Sequence, residues 1–181
     1  GAFSAETLAV WKALPGLRSI GVRLAGFVAP PLLNGTGNKT GIEMLDLSTG
    51  VHQTFAKVIQ PGETPTVGVY RMSAEATEWA RRVMAAALLA DIDWLVIDEI
   101  GPLELYQDEG FAFALEPLSD PMRVPNAIVI VREGLVAELA ERLGRTDVVV
   151  VNVSEETRAA VPAQLIRLVR AAQVQTGEML P

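Results

Sequence analysis

The feature that most constrains this chain is a short apolar run, Trp94-Leu95-Val96-Ile97, that ends abruptly in two adjacent acids, Asp98-Glu99. An uninterrupted apolar run containing β-branched residues reads as a strand buried on both faces, and such strands occur in sheets that helices cover on both sides. The surrounding pattern agrees. Thr66–Arg71 reads as a short strand. Ser73 is placed to cap a helix from Ala74 to about Ala90, and a short helix is expected over Phe111–Leu118. Ala127–Val131 is a second buried strand, Leu135–Leu143 a helix closed by Gly144, and Val148–Val153 a third buried strand. Ser154 would cap a last helix, Glu155–Ala172, with 173–181 as a frayed tail. Strands alternating with helices predict an α/β fold with a mainly parallel sheet.

The first sixty residues read differently. A helix over Ser4–Leu14, capped by Ser4, is expected to end at Pro15-Gly16, and a strand to follow over Arg18–Ala29. Asn34–Gly41 is rich in turn residues. Ile42–Leu47 and Val51–Ile59 alternate as strands around Ser48-Thr49-Gly50, so residues 24–59 are expected to form an antiparallel hairpin insertion. No repeat, low-complexity segment or linker interrupts residues 1–181, which read as a single domain.

Composition narrows the function. Half of the 181 residues are apolar and 20% are charged, a globular balance. The formal net charge is −7, and no cluster of Lys or Arg is present, which argues against nucleic acid as a partner. No apolar run reaches membrane-spanning length, so no membrane partner is expected. Cysteine is absent, which excludes disulfides and thiolate metal sites and fits a reducing, cytoplasmic location.

The acids at the strand end carry the chemistry. In a parallel α/β sheet, ligands sit beyond the carboxyl ends of the strands. Successive side chains of a strand point to opposite sides, so Asp98 and Glu99 face different ways. One carboxylate can approach a metal ion while the other orients a water, the pairing that phosphoryl transfer with Mg²⁺ requires. Asp98 suits the metal and Glu99 the catalytic water. Gly101-Pro102 is expected to turn the chain, so that Glu104 returns as a further candidate acid at the catalytic site. A solvated strand end, with no chemistry, is the competing reading.

The string Val96-Ile-Asp-Glu-Ile-Gly-Pro-Leu-Glu-Leu105 resembles the DEIG-x-x-E-L Walker B signature of the small archaeal and bacterial nucleoside-triphosphatases, the group that includes the human cancer-related nucleoside triphosphatase. Other segments are similar in the same order. Gly26-Phe27 followed by Lys39–Gly50 resembles the family hairpin, and Val67-Gly68-Val69-Tyr70 resembles a family strand. Phe111 lies at a matching distance, and Val153–Arg158 resembles the T-x-E-N-R segment, with Thr157 where Asn is usual. The resemblance implies a three-layer, RecA-like P-loop fold and hydrolysis of ATP, GTP and other nucleotides with Mg²⁺. It also implies nucleotide-binding roles for Ser4, Thr7 and Arg158.

Such a fold binds phosphate through a G-x-x-x-x-G-K-[ST] loop, where backbone N–H groups cradle the phosphates. That string is not in this sequence. Gly35–Thr40 is a fragmentary decoy, with Leu33 and Asn38 at the required glycines, and it leads into a strand. If Thr7-Leu8 matches the threonine-leucine opening of the family's first helix, Ser4 falls at the last loop glycine, Ala5 at the lysine and Glu6 at the Mg²⁺-binding hydroxyl. Two readings stand side by side: a domain whose phosphate loop has degenerated, serving a binding, regulatory or structural role, and a sequence that lacks its first strand and loop. A third reading makes the apolar hairpin strands a homo-oligomer interface.

Among other residues, Arg71, Arg132 and Arg158 lie near strand ends or a helix start, where an arginine can reach phosphate. His52, the one histidine, reads as a hairpin side chain. Trp11, Trp79 and Trp94 read as core, and Asp91 and Asp93 as the loop before the central strand.

Overall fold

The structure, a computed structural model, describes residues 3–178. Helix α1 (Ala5–Ser19) opens the chain and leads to strand β1 (Leu24–Val28). A ribbon follows: β2 (Pro31–Leu33), β3 (Lys39–Asp46), β4 (His52–Val58) and β5 (Tyr70–Met72). Helix α2 (Ala74–Leu89) then precedes β6 (Trp94–Ile100) and a short helix α3 (Pro102–Gln107). A 3-10 turn (Ala112–Ala114) runs into α4 (Leu115–Ser119). Strand β7 (Ala127–Val131) and helices α5 (Val136–Leu143) and α6 (Val161–Glu178) complete it.

All the strands share one sheet, in the order β5-β4-β3-β1-β6-β7, with β2 paired to β3. Strands β1, β6 and β7 run parallel, and the ribbon from β3 to β5 extends the sheet antiparallel from β1. The α/β expectation, with parallel strands at the centre, and the hairpin insertion both hold. Asn34–Asn38 is a hairpin turn: the Asn34 side chain accepts from the N–H groups of Thr36 and Asn38.

Alternation along β1 and β6 divides the core into two layers. Ala25, Phe27, Leu95 and Ile97 pack on one face against Ala80, Met84, Leu115 and Leu139 from α2, α4 and α5. Val28, Val96, Ile128 and Ile130 pack on the other against Val10, Leu14, Leu17 and Val169 from α1 and α6. The tryptophans stand at the margins of these layers, half-buried.

Several sequence expectations are corrected. Helix α1 does not stop at Pro15-Gly16 but continues to Ser19, because Leu17 is fully buried and α1 lies along α6. A Cβ on Gly16 would come within 2.5 Å of Ile166 Cδ1, so glycine lets the helices approach. Strand β1 therefore starts at Leu24, not Arg18. Gly101-Pro102 opens helix α3, proline being suited to a first turn that needs no N–H donor. The last helix starts at Val161, not Glu155. Pro162 tolerates only the first turn, and residues 155–160 form turns, with Ser154 Oγ accepting from Thr157 N–H. That helix persists through Glu178 where a frayed tail was expected from 173, and residues 179–181 lie outside those described.

The third buried strand, Val148–Val153, is not a strand. Val148, Val149 and Val150 are 47%, 69% and 52% exposed. A strand needs a neighbour for its backbone groups, and β7 ends the sheet on this side among the described residues. Arg145 anchors the preceding chain by donating to the carbonyls of Val124, at 2.6 Å, and of Leu118 and Pro125.

Candidate functional site at the tip of β6

Strand β6 delivers its acids to the carboxyl end of the parallel strands. Asp98 is 1% exposed and pairs in register with Ile130 of β7. Its Oδ1 accepts from the Thr7 hydroxyl at 3.0 Å, and its Oδ2 from the Ala29 backbone N–H at 2.9 Å. Thr7 is held in turn by Ser4, whose Oγ caps α1 by accepting from Thr7 N–H and donates to Thr7 Oγ1 at 2.9 Å. A chain of hydroxyls thus runs from the first turn of α1 to a buried carboxylate 91 residues away in sequence. Two expected nucleotide-binding residues, Ser4 and Thr7, and the expected metal residue, Asp98, share this one site.

Among the described residues no ion pair includes Asp98. Burial pushes its carboxyl up to about 6. The Ala29 amide and Thr7 hydroxyl pull it back, and the negative charges of Glu99 and Glu6 add to the rise.

Glu99 has a different environment. The β6–β7 register passes from Asp98↔Ile130 to Ile100↔Val131, so Glu99 is an extra, unpaired residue in a bulge. Bulges redirect side chains near sites of function. Here the carboxylate is turned toward solvent and meets Arg132, just beyond β7, whose Nε donates to Glu99 Oε1 at 3.0 Å. Arg132 N–H also donates to Ile100 O, fixing its backbone beside the tip.

Glu104 returns toward the tip, as the sequence suggests, but both its oxygens are engaged by backbone. Oε2 accepts from Gly101 N–H at 2.8 Å and Oε1 from Phe111 N–H at 3.1 Å. It is 5% exposed. Burial raises its carboxyl above the usual range, against the pull of the Phe111 and Gly101 amides.

Arg158 lies elsewhere, exposed on the 154–160 turns. Among the described residues no hydrogen bond or ion pair joins it to the β6 tip. Arg71 pairs with Glu63, and His52 lies near Glu43. Sequence reasoning missed the Ala29 amide, because backbone donors leave no signature in residue identity. Arg132 was legible only as an arginine after a strand.

The donors at the tip are hard oxygens: Asp98, the Thr7 hydroxyl and Glu6 nearby. Mg²⁺ takes one or two carboxylates and fills its remaining positions with water and substrate phosphates. Among the described residues no cluster of three or more His, Asp or Glu forms a cage for a metal. A desolvated carboxylate without a cation still fits that ion through one or two contacts. No helix among the described residues is long and apolar enough to cross a membrane.

Comparison with known proteins agrees with the geometry. The NTPase family matches residues 4–166. The nucleoside-triphosphatase THEP1 of Thermofilum pendens is 33% identical over 162 residues, covering 90% of this chain and 87% of the relative. That of Methanosarcina barkeri is 29% identical over 132 residues, covering 71% and 70%. The crystal structure of THEP1 from Aquifex aeolicus superposes with a TM-score of 0.64 at 20% identity, covering 88% of this chain and 91% of that one, a likeness of fold. The buried strand tip, the α1 start beside it and a family match spanning most of the sequence make this chain a member of the NTPase family of P-loop nucleoside-triphosphatases.

Proposed function

We propose that this chain binds a nucleoside triphosphate such as ATP or GTP over the β6 tip and hydrolyses its terminal phosphoanhydride with Mg²⁺. The observation that carries this reading is the division of labour between adjacent acids. Asp98 is buried, tied to the start of α1 and short of a cation, and Glu99 is bulged outward and accessible. Asp98, with the Thr7 hydroxyl beside it, would hold the metal. The bound ion would neutralise charge on the phosphate oxygens. Glu99 accepts a hydrogen bond from a water in line with the terminal phosphorus and takes its proton as the new P–O bond forms and the bond to the leaving diphosphate breaks. The first turn of α1, with Ser4 at its cap, offers N–H groups to phosphate. Arg158 is proposed to reach the nucleotide from the 154–160 turns.

Release of inorganic phosphate in the presence of Mg²⁺ tests this. Glu99→Gln, which keeps the shape and removes the base, is expected to lower kcat by roughly 10²–10⁴-fold. Phosphate release unaffected by this substitution defeats the assignment.

A second reading, a domain that no longer hydrolyses and acts by binding, regulation or structure, is favoured by one observation. Glu6 stands where the family's Mg²⁺-binding hydroxyl falls, and its charge reaches Asp98. An anion there repels phosphate. That reading expects no rise in melting temperature at millimolar ATP or GTP with Mg²⁺, whereas ligand binding raises it.

A further inference from the structure

We propose that Glu104 is the positioning residue of this site: its carboxylate clamps the bulged tip of β6 to the loop before the 3-10 turn, and so fixes the direction in which Glu99 leaves the sheet. The inference rests on the reading of Glu99 as the base that orients water. Glu104 is 5% exposed, and each of its two oxygens accepts from backbone, from Gly101 N–H and from Phe111 N–H.

Three features make this more than packing. First, a bulged residue has no ladder partner of its own, so its direction depends on what holds the chain on either side. Before Glu99, Asp98 is held by Thr7 and Ala29. After it, the Gly101 amide is held by Glu104 alone among side chains. Second, the other prong ends on a rigid body. Phe111 is 4% exposed, with ring centroids 4.5 Å from Phe27 and 4.9 Å from Phe55, so the tip is referred to the aromatic core of the sheet. Third, the loop is shaped around the carboxylate. Gly110 has φ +58°, and a Cβ there would lie 2.3 Å from Glu104 Oε1. Any other residue would push the loop off the clamp. None of the ion pairs among the described residues includes Glu104. A buried carboxylate held only by neutral amides is costly, and its worth lies in geometry.

Glutamine cannot replace it. One of its two terminal atoms is a donor and would face a backbone N–H, so Glu104→Gln loses one prong. Glu104→Asp keeps the charge but is one methylene shorter and cannot span both amides. In the full chain, either variant is expected to speed hydrogen exchange at Gly101 or Phe111 roughly tenfold, leaving Leu139 in α5 unchanged. The nuclear Overhauser contact between the Glu99 and Arg132 side chains is expected to disappear. Phosphate release should lose kcat roughly tenfold with KM held within about twofold. Unchanged exchange at both amides overturns the clamp. Faster exchange with the Glu99–Arg132 contact intact reduces Glu104 to a structural residue, as does failure of both variants to fold. A parent chain that releases no phosphate sinks the hydrolysis reading alone, because exchange and the side-chain contact still decide this one.

Discussion

The two ends of β6 are both rich in acids and are built on opposite electrostatic terms. Before the strand, Asp91 and Asp93 meet Arg23, which pairs with Asp91 and donates to Asp93 Oδ1 at 2.9 Å and Oδ2 at 3.2 Å. Arg23 holds the Asp93 carboxyl below its usual range. After the strand, Asp98 and Glu104 are more deeply buried, form no ion pair among the described residues, and are pushed the other way. The first arrangement offsets part of its charge with one shared guanidinium. The second holds its buried carboxylates with hydroxyl and backbone donors, an arrangement in which desolvation outweighs the hydrogen bonds. Carboxyls raised by burial cluster at functional sites.

The comparison can be broken most directly at Asp98. With its folded value raised from 3.8 to about 6, the folded state holds the proton more tightly than the unfolded state. The stabilisation is complete below pH 3.8 and is lost as pH rises through 6, by roughly 3 kcal/mol in metal-free buffer. Asp98→Asn removes the charge; its carbonyl can accept from Ala29 N–H while its amide donates to Thr7 Oγ1, which reverses the direction of that one hydrogen bond. Its urea midpoint is expected to exceed that of the parent at pH 8 and to approach it at pH 4, with the Thr7, Ala29, Glu6 and Glu99 surroundings unaltered. A variant less stable than the parent at pH 8 would mean that the site is already compensated.

Arg132→Ala tests whether the cation paired with Glu99 at the tip is structural. The pair with Glu99 is exposed, 59% and 36% for the two side chains, so the expected loss is at most about 1 kcal/mol by chemical denaturation. A larger loss would mean that the pair with Glu99 helps to hold the bulge.

The smallest effect is expected at Arg23. Arg23→Ala should lower the melting temperature slightly at low salt and not at high salt, because these pairs are solvated. The pH response of this end is opposite in sign to that of Asp98. Asp93, depressed in the folded state, contributes stability above pH 3.8 that is lost as pH falls through its folded value. Asp93→Asn should therefore flatten the acid limb of the stability profile and leave the limb near pH 6 intact.

Much of this was legible in residue order. Helix α2, strands β6 and β7, the hairpin turn and the paired acids follow from periodicity, capping and turn chemistry, which act over a few neighbours. What the chain could not announce were relations between distant segments. Val148–Val153 has the residues of a buried strand but no adjacent backbone to pair with. Pro15 and Gly16 have the residues of a helix end, yet lie within a helix because α6 packs beside it. Glu104 reads as one more acid near a catalytic pair and is in fact bound to two backbone amides, one of them seven residues on.

By itself, then, the sequence determined the apolar strand, the two acids at its tip and the face of the sheet to which they come, because local sterics and alternation are written in consecutive residues. Tertiary structure alone decided which acid is buried beside Thr7, which is bulged toward Arg132 and which is clamped between Gly101 and Phe111. Burial and most of the hydrogen-bond partners are set by the folding of the chain onto itself, and they give three identical functional groups three different environments.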